Sequence, residues 1–290
     1  YCNPCLLMSH HGLYLHLGLA KAASTYLQLK VFPQLKGVHY HRKRHFKQLP
    51  EILGKARADD YPYFFSTEMF RNLAERARSI GREFPNAKVI LVFRRQDQWL
   101  KSRYKYYLWK NGTLNFREYF DLDHDRGWWQ QGDLYYRPKI EAVEESFNNE
   151  PLILLLDELQ DDNHTLIKKL QQYTSTTYQG DLQQQKQIKK AFSERQLIVL
   201  RQFNQAFPYR KPESWPRPLK QLHVYMGQAV NYLIAVTALI FPASYFKDKV
   251  LIPQEDLDEV YQLYADDWQY CQDRAKEQAE KLCGITASKA

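Results

Sequence analysis

Apolar and polar residues follow two different patterns along the chain, and the change between them predicts the secondary structure. Four short runs are almost continuously apolar, which is typical of strands buried on both faces of a parallel sheet. These predicted strands are Leu13–Leu19, Tyr63–Thr67, Lys88–Phe93 and Leu152–Leu156. Apolar residues at helical spacing predict helices at Thr25–Val31, Phe70–Glu83, Asp97–Lys110, Pro138–Phe147 and Thr165–Tyr173. Strands that alternate with helices predict an α/β fold, a central parallel sheet flanked by helices.

The strand pattern ends near residue 180, and the remaining sequence predicts helices. These helices are expected at Gln183–Phe207, Leu219–Ile240 and Gln254–Lys281. The prolines of Pro208–Pro218 predict an irregular surface loop. The apolar run Tyr232–Phe241 is about half the length that spans a bilayer, so we expect a buried helix and no membrane span. We expect a single domain, 1–290, with an α/β core at 13–175 and a mainly helical part at 180–290.

Charge and cysteine content narrow the classes of partner. The chain has 41 Lys and Arg against 33 Asp and Glu, a formal charge of +8, which favours anionic ligands without identifying one. Its four cysteines are Cys2, Cys5, Cys271 and Cys283. The C-x-x-C pair lacks the second pair of a zinc site, so we predict no metal. Few cysteines and no visible signal peptide lead us to expect a cytoplasmic location.

A candidate phosphate-binding turn follows the first predicted strand. Residues 18–25 read GLAKAAST, with Gly18 and Lys21 at the strand end and Ser24 and Thr25 at the helix start. Free N–H groups at a helix start, two hydroxyls and a lysine suit an anion. The alternative is an ordinary connection in which Ser24 caps the helix. The lysine comes three residues after the glycine, which is not nucleotide triphosphatase spacing, so a small-molecule kinase is disfavoured.

A second candidate site follows the third predicted strand. In KVILVFRRQDQWLKSRY, residues 88–104, Arg94 comes at the strand end and Ser102 eight residues later on the next helix. A guanidinium and a hydroxyl on these elements could bind a second phosphate. The alternative is that Arg94 is an ordinary charge at a helix entry and Ser102 a surface residue.

Together the two sites resemble those of sulfotransferases that use 3′-phosphoadenosine-5′-phosphosulfate (PAPS). The first resembles the family's 5′-phosphosulfate loop, which usually has glycine where this chain has Ala23, and the second resembles its 3′-phosphate site. The resemblance covers about residues 13–173 and implies a P-loop NTPase-like fold. The chain lacks the R-K-G-x-x-G-D-W segment of the cytosolic sulfotransferases, so it looks closer to carbohydrate-type or bacterial members of the family. The donor-binding residues implied are Gly18, Lys21, Ala22, Ala23, Ser24, Thr25, Arg94 and Ser102.

The resemblance also implies the reaction. A sulfuryl group would pass from PAPS to a hydroxyl or amine of a small-molecule, carbohydrate or carrier-bound acceptor, which would release 3′,5′-adenosine bisphosphate (PAP) without a metal. Lys21 would stabilise the leaving group, and Glu68 would be the base. A histidine of the run HYHRKRH at 39–45, such as His41, is the other candidate base.

These assignments leave alternatives open. Glu68 could instead cap the helix that follows it, and residues 39–45 could be a solvated basic loop. A basic nucleic-acid-binding module is the alternative for the whole chain. The sequence shows no known module of that kind, and no face with basic residues interleaved with aromatic ones is evident, so we expect no nucleic-acid partner. The acceptor and the oligomeric state are not identified by the sequence.

Overall fold

The protein divides into two compact units. The computed structural model describes residues 12–54, 61–69, 71–156, 163–181, 192–209, 212 and 214–287. The sheet unit comprises Tyr1–Arg95, Tyr135–Lys186 and Tyr264–Ala290, and the helical unit comprises Gln96–Leu134 and Gln187–Leu263. The sheet unit thus includes the segment Tyr264–Ala290, which the sequence analysis assigned to the mainly helical part at 180–290. The assignment of 1–290 to a single domain stays a prediction.

A five-stranded parallel sheet forms the centre of the sheet unit. Its strand order is β3-β4-β1-β5-β6, and β2 and β7 form a separate antiparallel pair. The strands are β1 Leu13–Leu19, β2 Leu35–Lys36, β3 His39–His41, β4 Tyr63–Met69, β5 Lys88–Phe93, β6 Leu152–Leu155 and β7 Thr177–Tyr178. The predicted parallel α/β sheet is confirmed, and each of the four predicted strands is present.

Helices occupy most of the remaining described chain. The α-helices are α1 Ser24–Tyr26, α2 Leu49–Gly54, α3 Leu73–Glu83, α4 Gln96–Trp109, α5 Phe116–Tyr119, α6 Arg137–Ser146, α7 Asn163–Thr174, α8 Glu194–Ala206, α9 Arg217–Thr237, α10 Gln254–Leu263 and α11 Ala265–Ala287. Short 3₁₀ helices lie at Phe32–Gln34, Lys43–Gln48, Gln131–Leu134 and Ala243–Phe246. A π-helical turn, Leu27–Val31, continues directly from α1.

Several predicted boundaries need correction. The helix expected at Gln254–Lys281 is two helices, α10 and α11, with a break at Tyr264. The loop expected at Pro208–Pro218 ends early because α9 begins at Arg217. Proline is tolerated in a first helical turn, where its missing N–H would have no intrahelical partner. The first ten residues of the helix expected at Gln183–Phe207 fall at or next to the stretch 182–191, which lies outside the described residues.

Apolar strand residues and the C-terminal helix form the core of the sheet unit. Leu15 and Phe64 are fully buried, and Trp268 and Cys271 of α11 belong to the same cluster. Gln278 of α11 pairs with the β6 edge: its Oε1 accepts a hydrogen bond from the Ile153 N–H at 2.8 Å, and its Nε2 donates to the Pro151 carbonyl. The side-chain amide thus satisfies backbone groups on an edge strand.

In the helical unit, α4 packs against α8 and α10. Asn204 of α8 donates hydrogen bonds from Nδ2 to the carbonyls of Leu108 and Gly112, at 3.0 and 3.1 Å, and so satisfies carbonyls at the end of α4. The expectation of a buried helix at Tyr232–Phe241 is wrong, because Leu233 is 65% exposed and Ile240 83%. Among the described helices none is long and apolar enough to cross a bilayer.

Candidate anion-binding site

The strand register brings three of the predicted features to one edge of the sheet. Gly18 of β1 stands level with Glu68 of β4, and His16 of β1 stands level with Ile90 of β5. Neighbouring parallel strands end at the same edge, which is where ligands bind in open α/β sheets. The turn after β1, the Glu68 position and Arg94 after β5 therefore lie at the same edge.

The backbone of the turn after β1 has the geometry of an anion-binding nest. Lys21 and Ala23 have φ angles of 74° and 57°, in the left-handed region. Ala22, which lies between them and is fully buried, does not have a positive φ angle. Successive residues of alternating handedness point their N–H groups towards one concave point, and such a nest binds anions. Lys21, partly buried, supplies a positive charge at this position.

Ser24 closes the turn from inside and does not cap the helix. Its hydroxyl donates to the Leu19 carbonyl at 2.9 Å, and the same carbonyl accepts the Ala22 N–H at 3.2 Å. The N-cap position is Ala23, and no side chain caps α1. The alternative in which Ser24 caps the helix is therefore wrong. Thr25 is exposed at the start of α1, and the ligand contacts of both hydroxyls stay predictions.

Gly18 is required by the space around it. A Cβ atom there would lie 2.3 Å from Nε2 of His16 and 3.0 Å from Oγ of Ser24. Neither distance is compatible with a side chain unless a neighbour moves. The glycine thus lets a histidine ring and a turn hydroxyl approach the end of β1 together.

His16 is the residue at this site that the sequence analysis missed. Its ring is fully buried, its Nδ1 lies 2.7 Å from Oγ of Ser66, and Phe32 packs edge-on at a centroid distance of 5.0 Å. The Nε2 atom has no hydrogen-bond partner. Burial lowers the pKa of His16 to about 3, so the ring is neutral at pH 7. A lone polar residue inside the apolar run LYLHLGL was the available signal.

The backbone at Arg94 is firmly held within the sheet unit. Its carbonyl accepts the Tyr136 hydroxyl at 2.7 Å, and the Tyr136 ring stacks on Phe93 at a centroid distance of 4.5 Å. The Tyr136 N–H donates in turn to Asp267 at 2.8 Å. Ser102 lies on α4 in the helical unit and is partly buried. That Arg94 and Ser102 share one phosphate stays a prediction.

His41 lies on the opposite face of the sheet from Glu68. It is level with Phe65, and its ring stacks on the Phe65 ring at 4.8 Å with an interplanar angle of 16°. Side chains alternate between faces along a strand, so Phe65 and His41 share one face while Ser66 and Glu68 share the other. The structure thus brings Glu68, and not His41, to the face that carries Gly18 and His16. The run 39–45 contains β3 and the start of a 3₁₀ helix, so the alternative of a solvated loop is wrong.

In the described part of the chain, one group of side chains has metal-ligand spacing. Asp121, Asp123 and His124 form this group at the surface of the helical unit. The Asp121 carboxylate accepts backbone N–H groups from His124 and Asp123, both at 3.0 Å, and these hydrogen bonds lower its pKa. The carboxylate therefore already orders its own loop. That the protein uses no metal stays a prediction.

Comparisons with known proteins identify the fold. No family model matches the sequence, and no curated protein matches it either. A sulfotransferase from Alicyclobacillus acidocaldarius aligns over 82% of this chain and 99% of its own, with a TM-score of 0.50 and 11% identity. Mouse sulfotransferase SULT7A1 complexed with PAP aligns over 94% and 93%, with a TM-score of 0.45 and 12% identity. Identity this low speaks to the fold alone, and the fold of this chain is the sulfotransferase fold.

Proposed function

We propose that the chain is a sulfotransferase that moves a sulfuryl group from PAPS to a hydroxyl or amine of an acceptor. The observation that carries the proposal is the turn after β1, where alternating backbone conformations and Lys21 form an anion nest at the same sheet edge as Arg94. The fold agrees with this reading, since the bacterial structure of the same fold is named as a sulfotransferase.

The two ends of the donor would be bound by different elements. The N–H groups of residues 23–25 and the Lys21 ammonium bind the 5′-phosphosulfate, where both backbone dipoles and a mobile cation face the anion. Arg94 binds the 3′-phosphate through its planar guanidinium, with Ser102 as a second donor. The held backbone at Arg94 supports this role, because a fixed strand end limits where the guanidinium can reach.

The reaction would be an in-line displacement at sulfur. The acceptor oxygen or nitrogen forms a bond to sulfur while the bond from sulfur to the bridging oxygen breaks, and PAP leaves with the electron pair on that oxygen. The Lys21 ammonium stabilises the developing charge. Glu68 takes the acceptor's proton, which typically contributes a factor of about 10² to 10⁴. The donor already carries an activated sulfate, so the proposal needs no metal.

Glu68 is a better candidate for the base than His41. Its position level with Gly18 puts it on the face that carries the turn, whereas the His41 ring packs on Phe65 on the other face. The acceptor class stays open among small molecules, carbohydrates and carrier-bound hydroxyls.

Binding and transfer assays test the proposal directly. Calorimetry should show binding of PAP to the wild-type protein and weaker binding to Arg94→Ala. Transfer from labelled PAPS to a panel of sugars, phenols, steroids, lipids and hydroxyacyl thioesters should fall by a factor of about 10² to 10³ in Lys21→Ala. Lys30→Ala and Arg82→Ala are matched controls, since both side chains are exposed and lie on neighbouring helical segments.

Three results would contradict the proposal. They are a wild-type protein that does not bind PAP, undiminished transfer by Lys21→Ala, and equal losses in the control variants. Tight binding of a polynucleotide without affinity for PAP would favour the nucleic-acid-binding alternative.

A further inference from the structure

The buried histidine beneath the turn has a free hydrogen-bonding atom that the roles above do not use. His16 is fully buried, and its Nε2 has no partner. Buried polar side-chain atoms in folded proteins are nearly always hydrogen-bonded, because an unpaired one forfeits its interaction with water. We therefore expect a ligand bound at the site to provide the hydrogen-bond partner of Nε2.

The Nε2 atom faces the base of the turn. It borders the space above Gly18, where a Cβ would come within 2.3 Å of it, and Oγ of Ser24 borders the same space. Ser24 belongs to the segment whose backbone forms the anion nest. The His16 ring nitrogen and the nest thus border the same space, which is open because Gly18 has no side chain.

The hydrogen-bond partner of Nδ1 decides what Nε2 can do. If Ser66 donates its proton to Nδ1, then Nε2 carries the ring hydrogen, and if Nδ1 donates to Ser66, then Nε2 has a lone pair. Tyr40, which also contacts Ser66, is the competing acceptor for the Ser66 proton; its own hydroxyl donates to the Gln28 carbonyl at 3.1 Å. An anion in the nest attracts an N–H and repels a lone pair, so it selects the first arrangement.

We propose, resting on the proposed sulfotransferase function, that His16 is a donor-binding residue whose neutral ring gives an Nε2–H hydrogen bond to an oxygen of the phosphosulfate group in the turn. Burial keeps the pKa of His16 at about 3, so the ring contacts the anion as a neutral donor and does not act as the base. A neutral N–H group can donate a hydrogen bond to the oxygen and keep its proton. An anion site that works at neutral pH needs such a donor.

Nuclear magnetic resonance of the intact protein with ¹⁵N-labelled histidine tests the proposal without a mutation. The expected result is an Nε2–H tautomer for His16 whose Hε2 resonance moves downfield and exchanges more slowly when PAP is added. Inorganic sulfate alone should move the same resonance less. An Nδ1–H tautomer in the PAP complex, or ring signals unchanged at saturating PAP, overturns the proposal.

A pair of substitutions separates the N–H group from the ring. His16→Gln can place an amide N–H near the position of Nε2, whereas His16→Phe fills the space and offers no donor. We expect the dissociation constant for PAP to rise about tenfold or more in His16→Phe and by no more than about threefold in His16→Gln. Equal affinity in wild type and His16→Phe contradicts the proposal, and far-ultraviolet circular dichroism checks that the variants fold.

The outcomes distinguish this inference from the function on which it rests. If the wild-type protein fails to bind PAP, the proposed function fails. If the wild type binds PAP and Lys21→Ala loses transfer while the His16 ring does not respond to PAP, the function stands and only the role of His16 is wrong.

Discussion

The two faces of the central sheet each carry a histidine near the candidate site, and their environments differ completely. His16 on β1 is buried beside Ser66 and Gly18 with one ring nitrogen unpartnered. His41 on β3 lies against the rings of Phe65 and Tyr63. A stacked ring stabilises the strands it covers, whereas an unpartnered buried nitrogen costs stability and persists where a ligand or water completes it. The contrast separates a packing histidine from one suited to binding.

The largest expected effect compares the candidate bases on the two faces. Glu68→Gln keeps the size of the side chain but removes its basicity, so we expect kcat for transfer to fall about 100-fold or more with affinity for PAP nearly unchanged. His41→Gln is the matched control and should change kcat by less than about threefold. Steady-state kinetics with labelled PAPS measure both values, and a larger loss in His41→Gln would reverse the assignment.

The Gly18 position probes the face that carries His16. Gly18→Ala puts a methyl group where the buried ring and the Ser24 hydroxyl already lie, so we expect a loss near the upper end of about 1–3 kcal/mol in the free energy of unfolding. Urea denaturation measures the loss. Gly54→Ala is the control and should lose little, because apart from its chain neighbours and its own helix backbone no atom lies within 4 Å of the added Cβ. Equal stability in both variants would contradict the packing described.

Acid should destabilise the protein through His16. Burial lowers its pKa to about 3, below the unfolded value near 6.5, so between these values the unfolded state binds more protons. This contribution to stability is complete above pH 6.5 and is lost as the pH falls towards 3, by about 2 kcal/mol at pH 5. Urea denaturation measures how much the free energy of unfolding falls between pH 7 and pH 5. This fall should be smaller by about 2 kcal/mol in His16→Gln than in the wild type. The same difference in both proteins would exclude a neutral buried His16.

The smallest effect concerns the strain in the turn. Ala23 has a φ of 57°, a conformation that destabilises the folded state by about 1–2 kcal/mol for alanine but not for glycine. Glycine also makes the unfolded chain more flexible, which lowers the free energy of unfolding by about 0.4–1 kcal/mol. We expect Ala23→Gly to raise the free energy of unfolding by about 0.5 kcal/mol and to leave PAP affinity within about twofold. Thermal denaturation and calorimetry measure the two effects, and a destabilised Ala23→Gly would contradict a left-handed residue 23.

The parts of the fold that were predicted from the sequence are those that burial determines. Strands covered on both faces must be apolar throughout, so β1, β4, β5 and β6 are visible as runs. The short edge strand β3, HYH, was missed because it pairs on one side only and its polar residues resemble a basic loop. The apolar run Tyr232–Phe241, which extends past the end of α9, was wrongly expected to be buried because its burial was inferred from composition alone.

The candidate site was predictable where strand ends determine position. Lys21 and Arg94 follow β1 and β5, Glu68 lies near the end of β4, and these strands are parallel neighbours, so the rule about carboxyl ends applied. His16 was missed because its chemistry depends on Ser66, fifty residues away in sequence, and on the side chain that Gly18 lacks. Ser102 lies on α4 of the helical unit, and its pairing with Arg94 stays a prediction from local spacing.

The packing of α11 against β6 has a consequence for how the protein is made. Trp268 and Cys271 of α11 belong to the same core as β1, so two segments far apart in sequence must meet before the sheet unit is finished. Contacts between residues so distant in sequence slow the folding of a domain. During synthesis β6 therefore stays uncovered until α11 has left the ribosome.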